Sequence, residues 1–129
     1  MSPSVFALPP AEKNSVYLMA TWSTLTNDAM VNIFRFNENL CGKSKSGELG
    51  LVGPYKVNGI LVKFDGVCMN GRQVDSPASQ KGKKFLLDLT SSGKPITIEL
   101  EYSTTLHFSP SASDFKEVRS KLRAAESAM

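Results

Sequence analysis

Histidine is almost missing from this sequence: its 129 residues hold one, His107, alongside one tryptophan and two cysteines. Hydrolases built on a serine, a histidine and an acid need that histidine on an accessible ledge. His107 stands instead in the alternating run Thr105-Leu106-His107-Phe108, where a surface or hydrogen-bonded structural role is expected. The serine and lysine pairs spaced three apart, Ser91 with Lys94 and Ser113 with Lys116, fall in a turn and at a helix start and read as chance matches. Two cysteines and one histidine, with no close-spaced pair among them, do not supply a structural zinc site. Gly42-Lys43-Ser44 has the ending of a phosphate-binding loop, but Asn37 stands where that motif needs its first glycine. The carboxylates Asp65, Asp75, Asp88, Glu99 and Glu101 are assigned to solvated faces. These absences predict a protein that is not an enzyme and that uses no cofactor and no metal.

Long apolar runs are also lacking. Nothing approaches the roughly 20 residues that cross a bilayer as a helix, the apolar stretches being strand-sized pieces such as Gly59 to Val62. Charge of one sign is scarce as well, 15 Lys and Arg standing against 12 Asp and Glu for a net +3, a surplus too small to require nucleic acid unless the cations cluster. They cluster in part. Lys43 and Lys45 share one loop, and Arg72, Lys81, Lys83 and Lys84 fall close together with Asp75 as the one acid between them.

What the sequence does contain is alternation. Residues 1–14 carry three prolines and little periodicity and read as an extended arm, with 15–129 as a single domain. From Ser15, Val16, Leu18, Ala20 and Trp22 share one face of a strand, and Tyr17, Met19 and Thr21 share the other. After a turn at Asn27-Asp28, Val31, Ile33 and Arg35 oppose Met30, Phe34 and Phe36, completing a first hairpin. Leu40 to Pro54, rich in glycine, serine and lysine, reads as a long loop. Asn58-Gly59 accepts positive φ at both positions and predicts a second hairpin between Tyr55-Lys56-Val57 and Ile60 to Phe64. Asp65-Gly66 is expected to be a bulge, and Asn70-Gly71 ends the strand. Ser76 to Lys81 suggests one helical turn, after which Lys84 to Leu89 and Ile96 to Tyr102 are expected to form a third hairpin. Thr104 to Phe108 supplies a last short strand.

The C-terminal segment, about 111–126, is predicted to be an amphipathic helix: Ser111 and Asp114 form a variant capping box, and Phe115, Val118, Leu122 and Ala125 repeat at helical spacing. The expected fold is therefore α+β, a curled antiparallel sheet of about six strands, half-barrel or sandwich-like, covered by this one helix.

Two features bear on function. A bridge between Cys41 and Cys68 would fix the glycine-rich loop and is favoured in an exported protein, whereas in a reducing cytosol the two thiols would simply pack. Val5-Phe6-Ala7 has the small residues of a signal-peptidase site, but export would need residues upstream of this sequence, so a periplasmic or secreted location is expected only on that condition, and a cytoplasmic one otherwise. The basic residues Lys43, Lys45, Arg72, Lys81, Lys83 and Lys84 are the expected contact residues for a partner, on loops 40–54 and 70–84. That partner is expected to be another protein, with the chain acting as an inhibitor or accessory factor. Nucleic acid is the second choice, because no aromatic side chain lies between Arg72 and Lys84 to stack on bases. A structural part of a cell envelope or particle is the third.

Overall fold

A computed structural model describes residues 7–12, 15–37, 40–42, 46–101 and 104–128. Within them run β1 (Ala7–Leu8), β2 (Val16–Ser23), β3 (Asp28–Arg35), β4 (Gly47–Val57), β5 (Ile60–Met69), β6 (Arg72–Pro77), α1 (Gln80–Ser92), β7 (Ile96–Glu99), β8 (Thr105–Phe108) and α2 (Ala112–Ser127). The strands make one antiparallel sheet in the order β1-β2-β3-β6-β5-β4-β7-β8. The sheet curls until its two ends nearly meet. The Ala11 N–H donates to the His107 carbonyl at 2.8 Å, and the Glu12 carboxylate accepts the His107 N–H at 2.7 Å. The result is a nearly closed barrel of eight strands with two helices, where about six strands and one helix were expected.

The tight turns follow the asparagines. Asn58-Gly59 and Asn70-Gly71 adopt positive φ (49° and 82°, then 53° and 80°), which joins β4 to β5 and β5 to β6 through two-residue connections. Elsewhere the sheet departs from expectation. Much of the glycine-rich segment read as a loop is β4, an 11-residue strand whose register shifts between Glu48 and Gly50 and again between Val52 and Tyr55. Regular β5 alongside supplies a ladder that outweighs the poor strand propensity of glycine, and the misfit is absorbed in β4. Asp65-Gly66 is not a bulge; it pairs in register with Ser76 and Asp75. Gly66 serves close packing instead, since a Cβ there would stand 2.8 Å from Val52 Cγ1.

The larger correction concerns 80–92. Phe85, Leu87 and Leu89 alternate as in a strand, yet this stretch is a helix of 13 residues. Ser79 caps it by accepting the Gly82 N–H at 3.0 Å, and Gly93 ends it at φ 73°. Gly82, Leu86 and Thr90, four apart in turn, are the buried positions, so a helical period sets the inward face.

Both helices close the concave side of the sheet. Val16 and Leu18 of β2, Val31 and Ile33 of β3, Phe64 of β5 and Ile96 and Ile98 of β7 meet Leu86 of α1 and Phe115 and Leu122 of α2 in one core. Burying a side chain such as Phe115 fully is worth about 1.5–3 kcal/mol. Polar clamps then orient α2: Asp28 accepts from Arg119 at 2.9 and 2.6 Å and from Arg123 at 3.2 Å, and the Arg123 guanidinium lies over the Trp22 ring. No helix among the described residues is long and apolar enough to cross a membrane.

Candidate functional site

Cross-strand register sorts the side chains of the sheet into rows, and two rows on the concave side turn polar. Val16, Arg35, Gln73 and Cys68 are successive partners across β2, β3, β6 and β5, and Leu18, Ile33, Asp75 and Gly66 form the next row. Asp75 and Gln73 are 0% exposed and Tyr55, reaching in from β4, is 2% exposed. The Tyr55 hydroxyl donates to Asp75 Oδ2 at 2.8 Å, and Gln73 Nε2 donates to Oδ1 at 2.8 Å. Gln73 Oε1 accepts the Leu40 N–H at 2.9 Å, which ties in the residue beside Cys41. Arg35 reaches the Tyr55 hydroxyl at 3.4 Å and forms an ion pair with Glu101. Burial pushes the Asp75 carboxyl above its usual range, against the pull of the Gln73 and Tyr55 donors and the Arg35 charge. Burial, reinforced by the Asp75 carboxylate, pushes the Tyr55 phenol up too. Sequence alternation had assigned Asp75 and Glu101 to solvated faces; the first is sealed inside and the second pairs with a buried arginine. A cluster closed in this way joins β3, β4 and β6 and fixes their register, with the Glu101 carboxylate as its one partly exposed group.

The convex side carries a different row. Tyr17, Phe34, Val74 and Val67 are direct neighbours across β2, β3, β6 and β5. Phe36 extends the row, meeting Tyr17 edge to face at 5.6 Å between centroids and Phe34 at 6.3 Å. The Arg72 guanidinium lies 5.4 Å from the Phe36 ring centre. Met69, the cross-strand partner of Arg72, is 55% exposed. Cys68, bonded to Cys41 as a disulfide, sits between Val67 and Met69 and anchors the segment before β4 at the end of this ribbon.

The expected contact residues are thus divided. Lys43 and Lys45 lie outside the described residues. Arg72 belongs to the convex ribbon, while Lys81, Lys83 and Lys84 start α1. Lys83 is turned back onto the Pro77 carbonyl, and Lys84 pairs with Asp88 at 2.9 Å. The second of the expected binding loops, 70–84, is therefore mostly β6 and the first turn of α1. Sequence reasoning missed the convex row because Tyr17, Phe34 and Val74 lie far apart in the chain. The signal available was that Tyr17 and Met19 on one strand, and Phe34 and Phe36 on the next, make both faces of the first hairpin apolar.

His107 is exposed and joins Glu12 at 2.5 Å across the barrel seam. Its hydrogen bonds hold the Glu12 carboxyl at a pKa of about 2. Among the described residues no group of three His, Cys, Asp or Glu side chains is placed to hold a metal ion. Set against known proteins, the chain matches no family model, no curated protein and no solved structure.

Proposed function

We propose that the chain is a non-catalytic module that binds another protein, as an inhibitor or accessory factor, through the convex ribbon of β2, β3, β6 and β5. The observation that carries this reading is the row of Tyr17, Phe34 and Val67 gathered about Val74, itself only 8% exposed, and flanked by Met69 and by Arg72 over Phe36. Aromatic residues, methionine and arginine are the types enriched where proteins meet, and a contiguous apolar surface in a small domain marks such a site more than scattered residues do. Val67 and Met69, both exposed on β5, extend this apolar surface along the ribbon. The Cys41–Cys68 bridge supports an oxidising compartment for this encounter, periplasmic or extracellular.

The test is affinity capture from the native source with the wild-type chain and with a Val67→Glu/Met69→Glu variant of unchanged circular dichroism. A protein retained by the first and lost by the second is the expected result. Recovery of the same proteins by both would remove the ribbon as the binding surface.

A further inference from the structure

β6 stops short of its neighbour. Its last pairing joins Pro77 to Phe64, the Ala78 N–H adds one bond to the Lys63 carbonyl at 2.9 Å, and Ser79 then turns the chain into α1. β5 runs on to Ile60, held from the other side by β4. The hairpin tip beyond is rigidly placed: Asn58 donates from its backbone to the Thr97 carbonyl at 2.8 Å, and its side chain accepts the Thr97 N–H at 2.7 Å and donates to the Pro95 carbonyl at 3.2 Å.

Hairpin geometry settles which backbone groups β6 leaves exposed. Across a two-residue turn the flanking residues, Val57 and Ile60, exchange both hydrogen bonds. Ile60 and Val62 therefore aim their amide groups at β4, and Leu61 and Lys63 aim theirs the other way. The Lys63 carbonyl meeting Ala78 has this phase. The Leu61 N–H and C=O face a groove of about 480 Å³ between β5 and α1.

That groove has a definite chemistry. Ile60 and Leu61 are 54% and 63% exposed beside it, and Phe85 of α1 forms its far wall. Its charged lining is Lys63 and Lys81, with no carboxylate. The first turn of α1 holds no acidic residue, so the partial positive charge of the helix start adds to the two lysines.

We propose that this groove takes an extended peptide segment of a partner protein, carrying an acidic and an apolar residue on each of its two faces, which adds to β5 along the line that β6 abandons. The Leu61 N–H and C=O supply backbone bonds; on the α1 side an apolar side chain of the segment falls against Phe85 and a carboxylate reaches Lys81, and on the opposite face a second such pair meets Leu61 and Lys63. The same lysines disfavour a second copy of this chain, which would bring its own cations to the contact. The surface is separate from the convex row of Tyr17 to Val67, and the inference does not rest on it.

A displayed library of random peptides of about eight residues, the length of an ordinary strand, panned on the immobilised full chain tests the idea. Enriched sequences combine Asp or Glu with apolar residues at both odd and even positions, and a synthetic member slows exchange of the Leu61 N–H. Methylating a central backbone nitrogen of that peptide weakens binding about tenfold or more, as does Leu61→Pro or Lys63→Glu/Lys81→Glu in the protein, a loss of about 1.4 kcal/mol. Proline is tolerated at an edge position whose N–H faces outward; should Leu61→Pro fail to fold, the methylated peptide carries the comparison. The Val67→Glu/Met69→Glu variant binds as the wild type does. No enrichment, enrichment of basic or uncharged sequences, indifference to backbone methylation, or a dimer in sedimentation with Leu61 protected would each overturn strand addition. Loss of peptide binding in the Val67→Glu/Met69→Glu variant alone would also overturn it, while leaving the convex ribbon as a binding surface.

Discussion

Tyr55 and Asp75 meet 2.8 Å apart in the interior of the barrel, the phenol donating to a carboxylate with no exposed surface of its own. Tyr55→Phe keeps the ring, which packs 5.1 Å from Phe64, and removes the hydroxyl that donates to Asp75 and accepts from Arg35. A buried acceptor left short of a partner costs about 1–3 kcal/mol, to be read from urea denaturation. A double-mutant cycle with Asp75→Asn is expected to show strong coupling between the two; additive losses would mean that the bond is energetically idle.

Asp75 should also leave a mark on the pH dependence of stability. Its folded-state pKa is raised above the ordinary 3.8, chiefly by burial, so the folded protein binds this proton more tightly than the unfolded chain. The resulting stabilisation is complete below the unfolded value and disappears as pH rises through the folded one. Glu12, with its carboxyl at about 2, and Asp28, lowered by its bond from Arg119, work in the opposite sense, losing stability as pH falls. The difference in unfolding free energy between wild type and Asp75→Asn isolates the Asp75 contribution. Measured between about pH 3 and pH 8, it should move against the wild type with rising pH, and a flat difference would contradict the assignment.

The bond between Cys41 and Cys68 closes a separation of 27 residues. Chain entropy in the unfolded state makes such a closure worth about 3–4 kcal/mol. Cys41→Ser/Cys68→Ser should unfold at correspondingly lower urea, and reductant should lower the wild-type thermal midpoint toward that of the variant. Air-exposed native protein should show no titratable thiol; two free thiols per chain would refute the bridge.

Gly66→Ala is a sharper probe of packing. The added methyl would arrive 2.8 Å from Val52 Cγ1 and 3.2 Å from Asp75 Oδ1, between β4 and β6. Overpacking of this kind costs about 1–3 kcal/mol. Gly66 has no positive φ, so its loss measures the clash alone; Gly59→Ala, at the hairpin tip with open space around its Cβ, meets backbone strain at φ 82° and no clash.

Alternation in the sequence encodes most of the sheet, because one-sided burial forces a two-residue period: Val16, Leu18 and Ala20, then Val31 and Ile33, and Ile96 and Ile98 all point inward as their spacing predicts. The terminal helix was equally legible from Ser111, Phe115 and Leu122. Period two misled at Phe85, Leu87 and Leu89, where the turn chemistry of Ser79 and Gly93 decided for a helix. Composition misled at β4, since glycine content measures local preference and not the ladder that β5 offers. The candidate sites were least visible. Arg72 and Lys81 are near in sequence but stand on different surfaces, and no local pattern places Phe34 beside Val74 or opens the backbone at Leu61.

The clasp of Glu12 and Ala11 upon His107 has one more result. Sheets with long bare margins recruit further copies of themselves and grow into fibrils. Here Ala11 and Glu12, just past β1, cover the backbone of β8 at His107, and severing the clasp with Glu12→Ala should shorten the lag before fibril growth.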